Sequence, residues 1–482
     1  MAWETIIGLE VHVQLATRSK MFCACPNVFG APPNTLTCPV CLGLPGVLPA
    51  LNKQAVLFAV KTAKALNAQV HPHSFFARKN YFYPDLPKGY QISQYEQPLA
   101  TTGKLKIETP GGTKVIGITR LHLEEDAGKL VHEAEFTRAG VSYVDLNRAG
   151  VPLMEIVSEP EISTPEEAMA YLRALRELVR YLKVSDGNME EGSLRCDANV
   201  SVRPEGSQTL GTKAELKNMN SIRFVGKALA YEVERQVRVL ESGGKVAQET
   251  LLWSEKLEKT LPMRSKEEAH DYRYFPEPDI LPLAIEGERI EALPELPWDK
   301  RARFKRVYAL TDEESGILTE HPALAEFYEA LVEAFPNPKT ASNWILVELL
   351  KTFRPKMNRL DFSPAVSPKR VARVLSMIED GIINQSTAKD LLAKLLLEED
   401  FDPEAFVAQQ GLGQISDEKS LLAWIDELFE RHPSQVNEYL DGKEKVFGFF
   451  VGQLMKMSQG KANPRLLNTL LKQRFDARKG AF

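Results

Sequence analysis

The chain has 482 residues, of which 44% are hydrophobic and 26% are charged. This is the composition of an ordinary folded protein with room for about two to four domains, and it excludes a chain that is disordered throughout. The 60 basic and 65 acidic residues give a net charge of −5, which by itself argues neither for nor against a polyanionic partner. Every apolar stretch falls short of the roughly 20 residues that cross a bilayer, so we expect a cytoplasmic protein with no membrane partner.

The first part of the chain, residues 1–295, is strand-rich and broken by glycine and proline. We predict one large α+β domain there. Helical patterns occur in it only at Leu51–Leu66 and Pro165–Leu182. The second of these follows Ser163 and Thr164 and opens with a proline and two acids, which a helix N-terminus prefers, so we expect this helix to pack across the sheet.

Four of the five cysteines lie close together near the N-terminus. Cys23 and Cys25 are followed, after twelve intervening residues, by Cys38 and Cys41. Two close pairs can supply four thiolates to one tetrahedral ion, and zinc is the natural occupant. With all four positions filled by sulfur the ion would be structural and would hold a loop. Burial of four unrelated cysteines and a redox pair at Cys38 and Cys41 are the alternatives.

Several strand-like segments alternate apolar side chains with acids, bases and amides. Period two places each polar set on one face of a sheet. A merely solvated face is the alternative, but such faces use Lys, Glu, Thr and Ser freely, whereas His, Asn, Arg and Asp cluster here. The polar sets are Glu10, His12 and Gln14; Arg120, His122 and Glu124, running into Glu125 and Asp126; Arg195, Asp197, Asn199, Ser201 and Arg203; and Lys213, Glu215 and Lys217.

These polar faces predict a magnesium-nucleotide site on the floor of a sheet. Carboxylates on neighbouring strands repel one another unless cations lie between them, and Mg²⁺ prefers carboxylate oxygens, waters and phosphates. Interleaved Arg and Lys side chains would bind the phosphates. The sequence has neither a P-loop nor a dinucleotide-binding glycine motif after a strand, so nucleotide binding rests on this chemistry alone.

After the proline-rich stretch Leu293–Pro297 the apolar residues repeat with helical period. We predict a helical domain over 296–410 and, after a break at Gly411–Gly413, a small all-α domain over 411–482. Ser416 and the two acids after it predict the start of the first helix of that domain. From Asp441 to the end there are nine Lys or Arg residues against three acids, so this tail is strongly basic.

Long, unusual strings occur from one end of the chain to the other. Together they resemble the B subunits of the aspartyl/glutamyl-tRNA amidotransferases, and the resemblance covers the whole chain. The strings are Gly8–His12, Leu42–Gly46, Arg78–Gln94, Asp145–Leu153, Glu155–Pro160, Glu215–Ser221 and Lys266–Pro276.

The resemblance implies a cradle-shaped catalytic domain, a helical domain and a tail domain, working in a heterotrimer with an amidase subunit and a small third subunit. In that family, the amidase hydrolyses glutamine and ammonia moves through a channel to the partner that this chain resembles, where ATP phosphorylates the side-chain carboxylate of Glu-tRNA(Gln) or Asp-tRNA(Asn). The chain would thus be part of an ATP-dependent carbon–nitrogen ligase. It contains no Ser-Ser-Lys amidase string and no obvious Cys-His glutaminase pair, which agrees with ammonia from elsewhere.

On this mechanism, charge that builds on the transferred phosphoryl group is met by Mg²⁺ and cationic side chains. A hydrogen-bonded structural histidine is the alternative for His12. The magnesium ligands expected are Glu10, His12, Glu125 and Glu215, which with Lys79 form the catalytic set. The groups expected to bind ATP and its phosphates are Arg195, Asn199, Lys217 and Arg273.

Two further sets of residues are assigned by position. Lys88 and Tyr81 lie in a loop framed by proline and glycine, where we expect them to meet incoming ammonia. Lys456, Lys461 and Arg465 in the basic tail are expected to contact the tRNA backbone, with a solvated basic helix as the alternative.

Two other functions stay open at this point. A zinc-stabilised tRNA adaptor without chemistry of its own is disfavoured by the acidic strand faces, which repel RNA unless metal is present. An ATP-dependent ligase for a free amino acid would differ in not requiring charged tRNA. A non-discriminating synthetase is a further possible partner, since it would supply the misacylated tRNA.

Overall fold

The computed structural model describes residues 2–131, 141–263, 272–285, 291–415 and 417–479. Contacts divide the chain into two units, Met1–Lys300 with Met357–Phe362, and Arg301–Lys356 with Ser363–Phe482. The first unit holds the strands and the second is helical, which confirms the predicted α+β class. Among the described helices none is long and apolar enough to span a membrane.

The strands, numbered in chain order, all belong to the first unit. They are β1 Trp3–Gln14, β2 Gln69–Val70, β3 His73–Ser74, β4 Ala77–Asn80, β5 Tyr90–Ser93, β6 Ala100–Thr109, β7 Gly112–Glu125, β8 Lys129–Val131, β9 Tyr143–Asp145, β10 Pro152–Ser158, β11 Leu194–Pro204, β12 Ala214–Lys217, β13 Thr250–Ser254, β14 Lys259–Pro262, β15 Phe275–Pro276 and β16 Leu283–Ala284. Its helices are α1 Lys53–Ala65, α2 Pro165–Tyr181 and α3 Ile222–Glu241.

Most of these strands form one mixed sheet. Its order is β14, β13, β12, β11, β1, β10, β7, β5, β4 and β15, with β6 paired to β7 and β2. Neighbours run antiparallel except β12 and β13, which are parallel. The pairs β3 with β16 and β8 with β9 lie outside it. The central position of β1, between β10 and β11, decides which polar side chains meet.

The two faces of this sheet differ because the strands alternate. Ile7, Leu9, Val11 and Val13 of β1 are almost fully buried and join α2 and α3 in one apolar core. Burial of such side chains is worth about 1.5–3 kcal/mol each, which fixes the register. The opposite face is left to the polar residues of the same strands.

The local sequence accounts for the helices of this unit. The Thr164 side chain accepts a hydrogen bond from the Glu167 backbone N–H, and Pro165 occupies the first turn of α2, as predicted. The prediction of only two helical segments here was wrong, because α3 is a third. Its cap is Ser221, and the buried polar residues Glu232 and Gln236 interrupt the apolar period that would have revealed it.

The second unit is built from helices, the first of which starts at the junction between the units. They are α4 Pro297–Tyr308, α5 Asp312–Leu318, α6 Pro322–Ala334, α7 Pro338–Trp344, α8 Leu350–Phe353, α9 Pro368–Glu379, α10 Gln385–Leu397, α11 Pro403–Gln410, α12 Glu418–Arg431, α13 Pro433–Leu440, α14 Val446–Met457 and α15 Pro464–Lys479. A π-helical turn at Ile345–Leu349 joins α7 to α8, and a 3-10 turn at Arg354–Lys356 follows.

The last four helices share a core of their own, in which Phe429, Phe450 and Phe475 pack with leucines. Gly411 ends α11 in the left-handed conformation, and Asp417 caps α12 through the Ser420 backbone N–H. Ser416 lies outside the described residues. The contact boundary falls at Lys300, and a separate domain over 411–482 remains a prediction.

Candidate active site

Four titratable side chains meet at the centre of the polar face. Strand pairing sets His12 opposite Glu155, and Glu155 opposite His122. His12 Nε2 lies 3.2 Å from Glu155 Oε2 and 3.7 Å from Glu124 Oε1. His122 Nε2 lies 3.5 Å from Glu155 Oε2 and 3.9 Å from Glu124 Oε2. We call His12, His122, Glu124 and Glu155 the histidine–carboxylate cluster.

The pKa values within this cluster are set by burial and by the charges of neighbouring side chains, and the balance differs from one member to the next. Burial, and then the charge of Glu155, raise the pKa of Glu124. Burial would also raise the pKa of Glu155, but both histidines lower it below its ordinary value. Burial would lower the pKa of His12, yet its contacts with Glu155 and Glu124 raise it to about 9. Burial dominates at His122 and lowers its pKa to about 4, so His122 is neutral near pH 7.

The cluster has the composition of a cation site. One ligand atom from each of His12, Glu124 and Glu155 lies within 4.8 Å of the others. Glu124 and Glu155 are 4% and 8% exposed, so their like charges meet with little screening by water. Within the described residues, the buried Nδ1 of His122 has no hydrogen-bond partner. A divalent cation would relieve the repulsion and displace a proton from His12.

Carboxylates, amides and a lysine continue along β1, β11 and β12 on one side of the cluster. Asn199 Nδ2 donates to Glu10 Oε1 at 3.2 Å. Lys217 Nζ lies 2.6 Å from Asp197 Oδ2 and 2.9 Å from Glu215 Oε1. Burial would lower the pKa of Lys217, but these two carboxylates raise it above its ordinary value. The lysine is therefore held as a cation.

An open cavity adjoins this group. Its volume is about 240 Å³, and it lies over the N-terminal half of β1 and the facing part of β11. Polar lining comes from Glu10, Asn199, Ser201 and Lys213, while Gly8 leaves the floor without a side chain. A cavity with these groups at one end can receive a polar ligand that extends toward the cluster.

A second ring of charge surrounds Asp126. Arg195 donates to Asp126 Oδ2 at 2.9 Å, and Gln14 Nε2 donates to the same oxygen at 3.1 Å. Arg148 Nε lies 3.5 Å from it. Arginine in such pairs remains protonated, so two guanidinium groups stand beside Asp126, and Arg195 is also within electrostatic range of Glu124.

The other side of the cluster, toward β4 and β15, is aromatic. Lys79 Nζ lies 4.8 Å from the ring centroid of Tyr272 and 5.9 Å from that of Tyr81. Its charge also lowers the pKa values of His122 and Glu124, after the larger effects of burial and nearer charges, so it stands within electrostatic range of them. Arg273 is exposed on the segment before β15.

Glu125, one residue after Glu124, points into a different space. Its Oε1 accepts from Lys88 Nζ and, at 2.9 Å, from the Ile92 backbone N–H. The pair lines a cavity of about 160 Å³ together with Phe22 and Cys41. Gly43 has φ +65°, and a Cβ there would lie 2.5 Å from Lys88 Cγ, so only glycine fits against this lysine.

The four N-terminal cysteines converge on one point. The Sγ atoms of Cys23, Cys25, Cys38 and Cys41 all lie within 4.8 Å of one another. The hydrogen bond from the Cys23 thiol lowers the pKa of Cys41 to about 4, and Lys20 contributes to this. A thiolate with three further sulfurs around it can hold a tetrahedral zinc ion.

Two family models match the chain: the GatB/GatE catalytic domain over residues 5–291 and the GatB domain over residues 326–475. The chain belongs to the GatB family. Its relatives include proteins named as the B subunit of aspartyl/glutamyl-tRNA(Asn/Gln) amidotransferase in three bacteria. That of Thermodesulfovibrio yellowstonii is 52% identical over 98% of this chain and 99% of the relative. Those of Brevibacillus brevis and Halorhodospira halophila are each 52% identical, over 98% and 99% of this chain and 98% and 100% of the relatives.

Of the magnesium ligands expected in this GatB-family chain, the fold places Glu10, His12 and Glu215 on one face of the sheet. It does not bring Glu125 to them, since adjacent residues of a strand point to opposite faces. Glu155 was missed as a candidate ligand because it stands in a largely apolar strand. The signal for it was that lone carboxylate, which a buried strand does not tolerate without a partner.

The remaining expected residues are spread across both units. Tyr81 lies beside the cluster, where its hydroxyl contacts Gln91 at 3.4 Å, whereas Lys88 lies in the cavity of Glu125. Lys456 and Arg465 are exposed on the last two helices. Lys461 is half-buried, and its Nζ donates to Gly411 O at 3.0 Å, which ties the start of α15 to the end of α11. Of the string Lys266–Pro276, the positions before Tyr272 lie outside the described residues.

Proposed function

We propose that this chain uses ATP to activate the side-chain carboxylate of glutamate or aspartate esterified to tRNA, and that ammonia then converts it to the amide. The observation that carries the proposal is the buried histidine–carboxylate cluster, flanked by cationic groups on one sheet face. The relatives of this chain are named as B subunits of an aspartyl/glutamyl-tRNA(Asn/Gln) amidotransferase. The products would be Gln-tRNA(Gln) and Asn-tRNA(Asn).

The reaction has two balanced steps. A carboxylate oxygen of the amino acid attacks the γ-phosphorus of ATP, and the bond to the bridging oxygen breaks, giving an acyl phosphate and ADP. The nitrogen of ammonia then attacks the carbonyl carbon, and the C–O bond to phosphate breaks. The departing phosphate takes the proton that nitrogen loses. The first step is needed because a carboxylate is a poor electrophile.

The residues of this chain divide into roles along the sheet. His12, Glu124 and Glu155 would hold Mg²⁺, which when bound would meet the charge on the phosphates. Lys217 and Arg195 would orient phosphate oxygens from the β11 and β12 side, and Glu10 and Asn199 would contact the nucleotide in the adjoining cavity. Lys79 would stand on the acyl side with Arg273 near it. The neutral His122 can hydrogen-bond the acyl group without adding charge.

The ammonia would come from a partner. A GatB-family chain would receive it from an amidase subunit, with a small third subunit in the same heterotrimer. The Lys88–Glu125 pair lines a cavity on the opposite face of β7 from Glu124, and ammonia would approach the chain through this cavity. Tyr81, on the cluster side, would meet it there.

The decisive test is amidation of Glu-tRNA(Gln) by the chain assembled with its amidase and small partners, driven by ammonium with and without ATP. Glu124→Gln removes a charge from the cluster and is expected to lower the ATP-dependent rate at least about a hundredfold. Glu108→Gln, the same change at an exposed position of β6, is the matched control and should keep the wild-type rate.

Full activity of Glu124→Gln would make the chain a zinc-stabilised tRNA-binding adaptor. Equal amidation of free glutamate would favour a free amino acid ligase instead. A parallel assay with Asp-tRNA(Asn) as the substrate shows whether the complex amidates both misacylated tRNAs.

A further inference from the structure

Four tyrosines form one group beside the histidine–carboxylate cluster. Tyr95 stacks on Tyr274 with ring centroids 4.0 Å apart and an interplanar angle of 5°. Tyr272 meets Tyr274 edge-on at 6.2 Å, and Tyr81 meets Tyr272 edge-on at 6.0 Å. Tyr95 is 47% exposed. We call Tyr81, Tyr95, Tyr272 and Tyr274 the tyrosine cluster.

The backbone between two of these rings is held in an uncommon conformation. Arg273 has φ +42°, in the left-handed region that residues with a side chain rarely adopt. Asn80 fixes it, because its Nδ2 donates to Arg273 O at 2.8 Å and its backbone N–H donates to Tyr272 O at 2.9 Å. Such strain persists where the surroundings over-determine the geometry. Here it sets Tyr272 and Tyr274 against each other.

The tyrosine cluster lies on one side of the reacting centre. After the effect of burial, the charge of Glu124 raises the pKa of Tyr274, which places the ring near that carboxylate. Its residues belong to the loops that follow β4 and β5 and to the segment before β15. In the sheet order these strands lie beyond β7, whereas Asn199 and Lys217 lie beyond β1, on β11 and β12. The histidine–carboxylate cluster therefore lies between the tyrosine cluster on one side and Asn199 and Lys217 on the other.

We propose that the tyrosine cluster stacks the unpaired terminal base of the acylated RNA, with the outer face of Tyr95 as its platform. This inference rests on the proposed function, since the amino acid ester is joined to the ribose that carries that base. A base docked here would therefore leave the side-chain carboxylate close to Glu124 and Lys79. Proteins recognise unstacked RNA ends by this means, because an aromatic ring offers the base a matching face.

The base of ATP is the competing occupant, and position argues against it. The cavity of about 240 Å³, with Glu10, Asn199 and Lys213 in its lining, lies on the opposite side of the histidine–carboxylate cluster. ATP seated there reaches the cluster with its phosphates from the β11 side. The acyl end then enters from the tyrosine side, so the two substrates meet without sharing a surface.

The test measures KM for Glu-tRNA(Gln) and, separately, KM for ATP, in the ammonium-driven reaction of the assembled complex. The variant combines Tyr95→Leu with Tyr274→Leu, and its matched control combines Tyr95→Phe with Tyr274→Phe, which keeps both rings. We expect the leucine variant to raise KM for the tRNA about tenfold, with KM for ATP unchanged. The phenylalanine variant should behave as wild type. Tyr95→Leu alone, at an exposed position, is a milder variant and should raise KM for the tRNA about threefold.

A second measurement does not depend on catalysis. A short single-stranded RNA ending in 2-aminopurine should lose fluorescence on binding to the wild-type complex and to the phenylalanine variant, because the base stacks, but not on addition of the leucine variant. Quenching equal in both variants would overturn the proposal, and so would a rise in KM for ATP with KM for the tRNA unchanged. If the wild-type complex made no ATP-dependent amide, the proposed function would fail, and quenching would still decide whether this surface stacks a base.

Discussion

Glu124 and Glu125 are neighbours in sequence but have opposite surroundings. Glu124 meets two histidines and a second carboxylate, whereas Glu125 meets a lysine and a backbone N–H. The difference follows from strand geometry, in which successive side chains leave opposite faces. The partners of a side chain at the end of β7 therefore depend on whether its position in the strand is odd or even.

Removal of Lys88 tests the energetic side of this arrangement. The Glu125 carboxylate is 2% exposed, so Lys88→Met leaves a buried charge without its partner. We expect the free energy of unfolding of the N-terminal unit to fall by about 3 kcal/mol. Adding Glu125→Gln should recover much of the loss, because the unpaired charge is gone. Chemical denaturation of the single and double variants measures this, and equal stability of Lys88→Met and wild type would contradict it.

At the scale of single residues, the sequence predicted some of the site and not the rest. The alternation of side chains along the strand predicted that His122 and Glu124 share one face. The same alternation places Glu125 on the opposite face from Glu124. Glu155 lies far along the chain from His12, and their contact depends on which strands are neighbours. Periodicity does not contain that information, because strand order is set by the packing of the whole sheet.

At the scale of elements, β1 does most to assemble the site. It pairs with β10 on one side and β11 on the other, so a single strand aligns Glu155 and Arg195 with His12. The cysteine segment could be predicted since close spacing keeps its ligands together in any fold. Helix α3 could not, because Glu232 and Gln236 are polar yet buried. Glu232 accepts hydrogen bonds from Arg235 and from Gln236 Nε2, and Gln236 Nε2 also donates to Val200 O.

The cysteine segment gives a prediction about metal content. Cys38→Ser should abolish the zinc carried by the purified chain, because a tetrahedral site with three sulfurs binds less tightly. Cys196→Ala removes the fifth cysteine, which is buried in β11 away from the others, and should keep about one zinc per chain. Elemental analysis measures this. A wild-type chain without zinc would contradict the assignment.

Loss of the metal should also change the loop itself. Cys41 lines the same cavity as Lys88 and Glu125. A chelator is therefore expected to expose the Cys23–Cys41 segment to limited proteolysis, and to weaken glutamine-driven amidation more than ammonium-driven amidation. Equal cleavage with and without chelator would show that zinc does not hold this loop.

At the scale of the whole molecule, charge is unevenly distributed along the chain. The chain is acidic overall, yet its end is basic, and Lys456 and Arg465 are exposed there. We infer that this end contacts the tRNA backbone. The sequence predicted the helical character of this region because apolar residues repeat with helical period, but not the half-burial of Lys461, which depends on a backbone carbonyl fifty residues earlier.

Salt dependence tests this inference. Lys456→Ala combined with Arg465→Ala should weaken tRNA binding and lower the slope of log affinity against log salt by roughly 1–2, with KM for ATP unchanged. Lys104→Ala with Lys106→Ala, two exposed lysines of β6, is the matched control. An unchanged slope would mean that the basic end is only solvated.

The separation of Glu124 from Glu125 has a consequence for how the gene can change. One extra codon within Arg120–Glu125 would turn each following side chain of the strand to the other face of the sheet. Glu124 would then face the side of Lys88, and Glu125 would face the side of the histidines. Substitutions that keep the number of residues leave each side chain on its own face of the sheet. The end of β7 is thus a stretch whose length is more tightly constrained than its composition.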